Sequence, residues 1–317
     1  MNGSYPVFHH LFACRRYGTP MEIRGFRSIL VPLDGSASAQ AALRLALRLV
    51  DPDGDIVLVH AIDRTAVVAE CVTPYGGDPT PALEALEADQ RAIFEAGERQ
   101  VTGAGVRCST VALDGAAAQG IVAVARERNV DAIAMGTHGR RGFARIVLGS
   151  TAAAVLHEAP VPTFVVHEQA GVEAGLPFHQ ILVALDGAPA ASAAARDAVD
   201  LAARDGASVF FAHVVEAQDQ AEALAAAMSQ ARAYALAAGV ASDAAILHGD
   251  PVDALLICAE TCHAGAIAVG AHDRTSSFFG IGSVAEALVR MSPIPVLVSP
   301  LPAATAVEPP PVHARPA

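Results

Sequence analysis

Residues 29–35 read ILVPLDG, and nearly the same run returns as ILVALDG at residues 181–187. Near-continuous Val, Ile and Leu is typical of a strand buried on both faces of a parallel sheet, and the Asp-Gly that follows favours a turn. Four further landmarks return in the same order: HAID at 60–63 as HVVE at 213–216, AIAMG at 132–136 as AIAVG at 266–270, GS at 149–150 as GS at 282–283, and APVPTFVV at 159–166 as SPIPVLV at 292–298. Five ordered landmarks predict an internal duplication.

Each copy alternates short apolar runs with longer helical patterns, which predicts a doubly wound α/β sheet with right-handed crossovers. In the first copy, strands are expected near residues 29–33, 56–62, 106–111, 132–135 and 163–166, and helices near 38–50, 81–102, 117–129 and 150–158. The second copy lacks most of residues 64–80, so its second helix is expected to begin soon after Glu216.

Length and composition place these copies in separate domains. A chain of 317 residues with 53% apolar and 17% charged residues is long enough for two well-buried cores. We expect a flexible extension at residues 1–21 (Met21 is an alternative start), domains at 22–168 and 178–300, a linker at 169–177 and a disordered tail at 301–317.

Charge and apolar patterning exclude several kinds of partner. The net charge of −12 argues against nucleic acid, and no apolar run approaches the roughly 20 residues of a membrane helix. Five cysteines are an odd count for a disulfide framework, and reduced thiols suit a cytoplasmic location. Cys258, Cys262 and His263 lie close together, but no further ligand is indicated, so no metal site is predicted.

One loop of the first copy has the residues of an anion site. Gly136-Thr137-His138-Gly139 is followed by nine residues and then by Gly149-Ser150-Thr151. Glycines permit positive φ and close backbone approach, and Ser150 is a good N-cap for a helix whose N-terminus attracts phosphate. Arg140, Arg141 and Arg145 could neutralise phosphate charge, and His138 either contacts phosphate or faces solvent. The alternative is a glycine turn with an ordinary helix cap.

Strand order would bring a second loop to the same place. Ligands of open α/β sheets bind beyond the carboxyl ends of the strands, where the strand order reverses. If the first and fourth strands are neighbours, Asp34 and Gly136 flank one crevice. Asp34 could then accept hydrogen bonds from a ribose or an adenine, or it could simply form a turn.

Residues 27–166 and 179–300 resemble the universal stress protein family, whose signature G-x2-G-x9-G-[S/T] is matched by Gly136, Gly139, Gly149 and Ser150. The resemblance implies a Rossmann-like, five-stranded parallel sheet of order 3-2-1-4-5 in each copy. It also implies that Pro32, Asp34 and Ala61 surround the adenosine of ATP, with or without Mg²⁺. Met135, Gly136, His138, Gly139 and Arg140 would belong to the loop, and Gly149, Ser150 and Thr151 would hold the phosphates.

The second copy departs from this pattern. Its loop reads Gly270-Ala271-His272-Asp273, and eight residues separate Asp273 from Gly282. One like charge near a phosphate costs on the order of 4 kcal/mol at an effective dielectric of about 20. We therefore expect one ATP per chain, and a second copy that acts as a structural partner.

Three functional interpretations remain open. The first is a nucleotide-dependent sensor or regulator in the stress response, acting on an unidentified protein partner. The second is a non-catalytic interaction scaffold in which nucleotide is incidental. The third is an enzyme, but P-loop and nucleophile-elbow sequences are absent, so no catalytic residue is predicted and at most slow ATP hydrolysis is expected. The final strands of the two copies could pair within a chain or between chains, and we expect a homodimer.

Overall fold

The computed structural model describes residues 26–71, 77–137, 148–168, 178–215, 221–271 and 281–301. The strands are β1 (Phe26–Pro32), β2 (Val50–Ile62), β3 (Arg107–Asp114), β4 (Ala132–Gly136), β5 (Thr163–Val166), β6 (Gln180–Ala184), β7 (Ser208–Val214), β8 (Ser242–Leu247), β9 (Ala266–Gly270) and β10 (Val296–Ser299). The helices are α1 (Ala37–Leu49), α2 (Arg64–Cys71), α3 (Thr80–Gly103), α4 (Ala117–Glu127), α5 (Ser150–Glu158), α6 (Pro189–Asp205), α7 (Ala221–Ala237), α8 (Pro251–Thr261) and α9 (Ser283–Met291).

The strands form one ten-stranded sheet of order β3-β2-β1-β4-β5-β10-β9-β6-β7-β8. Each copy contributes five mutually parallel strands in the order 3-2-1-4-5, so the α/β fold class and strand order are confirmed. The two halves meet where β5 and β10 pair antiparallel, with Phe164 opposite Leu297. The pairing of final strands therefore takes place within the chain, and the two sheets expected from the repeats are halves of one.

Some boundaries differ from the sequence-based expectation. β2 begins at Val50 rather than near residue 56, and α2 occupies part of a segment in which no helix was expected. Within the residues described, α2 has no counterpart in the second domain, whose next helix, α7, begins at Ala221. Our prediction missed α2 because it has no buried residue and hence no apolar stripe. The expected extension, linker and tail lie mostly outside the described residues.

Helices cover both faces of the sheet and bury two apolar layers. One layer packs α1, α3, α6 and α7 against the sheet, and the other packs α4, α5, α8 and α9. Alanine dominates the contact surface of α6, which lets this helix approach the strands closely. Both layers run through the β5–β10 junction, so the two domains share a continuous core.

Charged groups also cross the junction. Arg48 at the end of α1 forms an ion pair with Asp205 at the end of α6, with nitrogen and oxygen 3.4 Å apart and both side chains about nine-tenths buried. The Arg48 guanidinium lies 3.6 Å from the centre of the Phe178 ring. Arg204 reaches back to the Leu49 carbonyl oxygen at the end of α1. These contacts add to the strand pairing between the domains.

None of the helices in the described part of the chain is sufficiently long and apolar to cross a membrane.

Candidate functional site

The crevice of the first domain lies where β1 and β4 are adjacent. Ile29 pairs with Ala132 and Leu30 with Ile133, which confirms that the first and fourth strands are neighbours. The loops that follow these strands therefore leave the sheet at the same edge. Asp34 follows β1, and Gly136 ends β4. This is the reversal point at which open α/β sheets bind ligands.

Asp34 is held in place by the turn that it forms. Its Oδ1 accepts a hydrogen bond from the Ser36 N–H at 2.9 Å, and Gly35 adopts φ of 80° between them. Ser36 in turn caps α1 by accepting from the Ala39 N–H at 3.2 Å. Asp34 thus forms the turn that its Asp-Gly sequence favours. It orients a partly buried carboxylate at the crevice and leaves its Oδ2 without a hydrogen bond from the described residues.

Gly136 allows α1 to approach β4. A Cβ added there would lie 2.5 Å from the Ser38 Oγ and 2.7 Å from the Ser38 carbonyl carbon. No side chain fits into that space without moving the first turn of α1. The glycine therefore brings the start of α1, which follows Asp34, against the start of the loop that follows β4.

Gly149, not Ser150, is the N-cap of α5, so the capping role predicted for Ser150 is wrong. Gly149 donates its N–H to the Thr137 carbonyl oxygen at 2.8 Å, and this bond places the helix start one residue earlier. Gly149 has φ of −62°, so this position does not need a glycine in order to adopt positive φ. Gly149 has no side chain with which to cap α5, so the cap residue itself leaves the N–H groups of the first turn available at the crevice end of the helix.

Thr137 joins the two ends of the loop, a structural role that was not predicted from the sequence. It is 1% exposed, donates its N–H to the Val166 carbonyl at 3.1 Å, and accepts the Gly149 N–H. Its Oγ1 lies 3.2 Å from Nδ1 of His167. The signal available in the sequence was the polar Thr137 between two glycines, where the second copy has Ala271.

Some of the remaining predicted site residues are described by the structure, and others lie outside the described residues. Pro32 and Ala61 are partly exposed at the ends of β1 and β2, and Met135 is buried in β4. His138, Gly139 and Arg140 lie outside the described residues, as do the neighbouring Arg141 and Arg145. Ser150 and Thr151 form the first turn of α5. Among the described residues, those predicted to surround adenosine and those predicted to hold phosphate thus lie at the same edge of the sheet.

The two equivalent strand histidines have a structural role. His60 Nδ1 contacts the Leu33 carbonyl oxygen at 2.5 Å, and His213 Nδ1 contacts the Leu185 carbonyl oxygen at 2.7 Å. Both rings are at most 5% exposed. Each histidine therefore links the residue before the Asp-Gly turn to the adjacent strand by a hydrogen bond, in the same way in both copies.

Comparison with known proteins agrees with this geometry. A model of the universal stress protein family matches residues 25–167 and 177–300. A universal stress protein of Mycolicibacterium smegmatis is 31% identical over 196 residues, which are 59% of this chain and 63% of the relative. A universal stress protein of Methanocaldococcus jannaschii is 29% identical over 44% of this chain and 82% of its own. A universal stress protein structure from Archaeoglobus fulgidus has the same fold, with a TM-score of 0.69 and 24% identity over 86% of this chain and 96% of that one.

Proposed function

Because the chain belongs to the universal stress protein family, we propose that its first domain binds ATP and that the protein acts in the stress response as a nucleotide-dependent sensor or regulator. The observation that supports this most directly is the start of α5 beside the loop that follows β4, where the cap residue Gly149 has no side chain to occupy the N–H groups. Free N–H groups and the positive end of a helix dipole suit phosphate. The carboxylate of Asp34 lies beyond the neighbouring strand.

In this proposal each group of residues has a separate task. Pro32, Asp34 and Ala61 surround the adenosine, with the Asp34 carboxylate accepting from a ribose or adenine donor. The N–H groups and hydroxyls of Ser150 and Thr151 bind phosphate, and Gly149, whose own N–H is donated to Thr137, lets the phosphates approach the backbone closely. His138, Gly139 and Arg140 would complete the phosphate end, and Mg²⁺ would accompany the phosphates without an assigned protein ligand.

The proposal also covers assembly and location. We expect a cytoplasmic protein that acts on a regulatory protein partner. A homodimer would have to use a surface other than β5 and β10, since these strands already pair with each other. The free sheet edges among the described strands are β3 and β8. No hydrolytic role is assigned to any residue.

The test is the nucleotide content of the purified chain. Protein purified without added nucleotide is denatured, and the released nucleotide is identified and counted by chromatography. We expect one equivalent of ATP per chain, and a rise in melting temperature when ATP is added to nucleotide-free protein. Two equivalents would contradict the assignment to one domain, and no binding at all would contradict the proposed function.

The duplication offers a matched pair of variants for this test. Thr151→Val gives the first domain the residue that the second has at Val284, and Ser283→Ala changes the second domain only. We expect Thr151→Val to weaken ATP binding about tenfold, because a hydroxyl donor to phosphate contributes about 1–2 kcal/mol. Ser283→Ala should leave ATP binding unchanged.

One observation favours a second candidate, the interaction scaffold. The β5–β10 pairing makes a dimer-like unit from a single chain, without any ligand. A scaffold would keep a stable partner in pull-down experiments and would show the same melting temperature with and without ATP. The sensor would respond to ATP in both measurements.

A further inference from the structure

Two cysteines at the end of α8 lie on one face of the helix, away from the proposed ATP site. Cys258 is in the last turn of α8, and Cys262 is its C-cap, which donates its N–H to the Cys258 carbonyl oxygen at 2.9 Å. Residues four apart on a helix project from the same face. The next strand, β9, begins at Ala266, so the pair lies at the margin of the sheet where the strands of the second domain begin.

The side chains of these two cysteines contact each other. A hydrogen bond joins the two thiols, and the Cys262 Sγ lies 3.8 Å from the Ala259 carbonyl oxygen. Cys258 is 8% exposed in the apolar layer beneath α8, whereas Cys262 is partly buried at the edge of that layer. Thr261 and His263, on either side of Cys262, are exposed. A small molecule therefore reaches the pair from the end of the helix, through Cys262.

Both thiols are protonated at neutral pH. Burial raises the pKa of Cys258 to about 11, with a further contribution from the neighbouring Cys262. Burial also raises the pKa of Cys262, and the causes that act on either thiol include no cationic side chain of the described residues. The thiolate is the form that attacks peroxides and coordinates cations. The pair is therefore poorly suited to oxidation or to binding an ordinary metal cation.

A pair of neutral thiols suits one class of soft centre. A structural zinc site takes four ligands, and the described part of the chain contains no group of three or more side chains that could hold a metal ion. Trivalent arsenic is soft and prefers sulfur ligands. It forms only three bonds, and at neutral pH it is present as an uncharged hydroxide. Two thiols are therefore sufficient, and neither has to ionise before the reaction begins.

We propose that Cys258 and Cys262 form a dithiol site for trivalent arsenic, taken up as arsenite or as an organic arsenoxide. Each thiol replaces one hydroxyl group on arsenic: an As–S bond forms, an As–O bond breaks, and the thiol proton leaves with the hydroxyl as water. Arsenic stays trivalent, so no oxidant or reductant is required. Cys262, the more accessible thiol, reacts first, and the second bond then forms within one helical turn at a high effective concentration.

The test is mass spectrometry of the reduced full chain after treatment with phenylarsine oxide and then with excess 2-mercaptoethanol, which removes arsenic held by a single thiol. We expect one phenylarsenic group per chain to remain, and 2,3-dimercaptopropanol to remove it. Trypsin should release the group on the peptide from Ala233 to Arg274, whose only cysteines are Cys258 and Cys262. Loss of all arsenic to 2-mercaptoethanol, or arsenic retained on another peptide, would overturn the proposal.

Matched variants separate a dithiol site from ordinary thiol reactivity. Cys262→Ser should abolish the retained arsenic, with thermal unfolding as the check that the variant is folded. Cys108→Ser is the control and should retain one equivalent, because burial, Glu98 and Asp55 rather than a second thiol raise the pKa of Cys108 to about 11. Retention by Cys262→Ser would contradict the proposal.

A measurement on the unaltered chain uses arsenite itself. Arsenite should slow the alkylation of Cys262 by N-ethylmaleimide and leave that of Cys108 unchanged. Equal alkylation of Cys262 with and without arsenite would also overturn the proposal.

Discussion

His167 Nε2 lies 2.8 Å from the backbone carbonyl oxygen of Val289, and this hydrogen bond joins the end of β5 to α9 of the other domain. A carbonyl oxygen can only accept, so Nε2 carries the proton and Nδ1 accepts from the Thr137 hydroxyl. Burial lowers the pKa of His167, against a smaller opposite effect of the Val289 bond. A neutral imidazole thus connects Thr137, at the start of the loop after β4, with the second domain.

Removing this ring should loosen the domain junction. His167→Ala leaves Val289 and Thr137 without these partners, and we expect the free energy of unfolding to fall by about 1–2 kcal/mol. Denaturant unfolding of the full chain measures it. His248→Ala, at an exposed histidine of the second domain, is the control and should leave the transition midpoint unchanged. Equal effects of the two substitutions would contradict a bridging role for His167.

The lowered pKa of His167 has a consequence for stability in acid. The unfolded state, with an ordinary histidine pKa of about 6.5, binds more protons than the folded state below that value. The stability that His167 contributes is therefore complete above about pH 6.5 and is lost as the pH falls below it. The wild type should lose more stability than His167→Gln between about pH 7.5 and about pH 5.5. Parallel curves would show that His167 does not titrate differently in the two states.

Asp197 should show the opposite pH dependence. Burial raises the pKa of Asp197 to about 6, although Ser299 donates a hydrogen bond to its Oδ2 at 2.6 Å. The folded state holds this proton more tightly, so its stabilising effect disappears as the pH rises through about 6. Asp197→Asn should therefore raise stability near neutral pH by up to about 3 kcal/mol and have little effect in acid. Unfolding curves at both pH values test this, with the exposed Asp243→Asn as the control.

Gly136→Ala should disturb the first-domain site by displacing the first turn of α1. The added methyl group would overlap the first turn of α1, so we expect a loss of about 1–3 kcal/mol in stability and weaker ATP binding. Gly103→Ala is the matched control, because a Cβ there meets nothing within 4 Å. It should be neutral or slightly stabilising. Calorimetric titration with ATP and thermal unfolding measure both effects, and an unchanged Gly136→Ala protein would refute the packing explanation.

The ion pair at the domain junction should be sensitive to loss of one partner. Asp205→Ala leaves the buried Arg48 guanidinium without its carboxylate, and we expect a loss of about 3 kcal/mol. The exposed pair of Arg99 and Glu95 provides the comparison, and Arg99→Gln should not change the unfolding midpoint. If the two substitutions have the same effect, the junction does not depend on the buried pair.

Local patterns predicted the elements that bury apolar residues and the order in which they pack. The run at residues 29–35 and its repeat indicated the first strand of each domain, and the neighbouring position of β1 and β4 is confirmed. The exposed helix α2 was missed because helix periodicity is visible only where one face is buried. The cap of α5 was misplaced by one residue because the deciding bond, from Gly149 to Thr137, joins residues whose proximity is not encoded in neighbouring sequence.

Contacts between the domains were the least predictable part. The final strands of the two copies read alike, and their apolar pattern suits pairing within a chain as well as pairing between chains. Arg48 and Asp205 resemble ordinary charged residues at helix ends, and only the packing of α1 beside α6 buries them.

The antiparallel pairing of β5 with β10 gives the molecule a polarity that neither domain has alone. All strands of the first domain run opposite to those of the second, so their carboxyl ends emerge at opposite margins of the sheet. The crevice of the first domain and its counterpart in the second accordingly open in opposite directions, so a small protein docked over one opening would leave the other accessible.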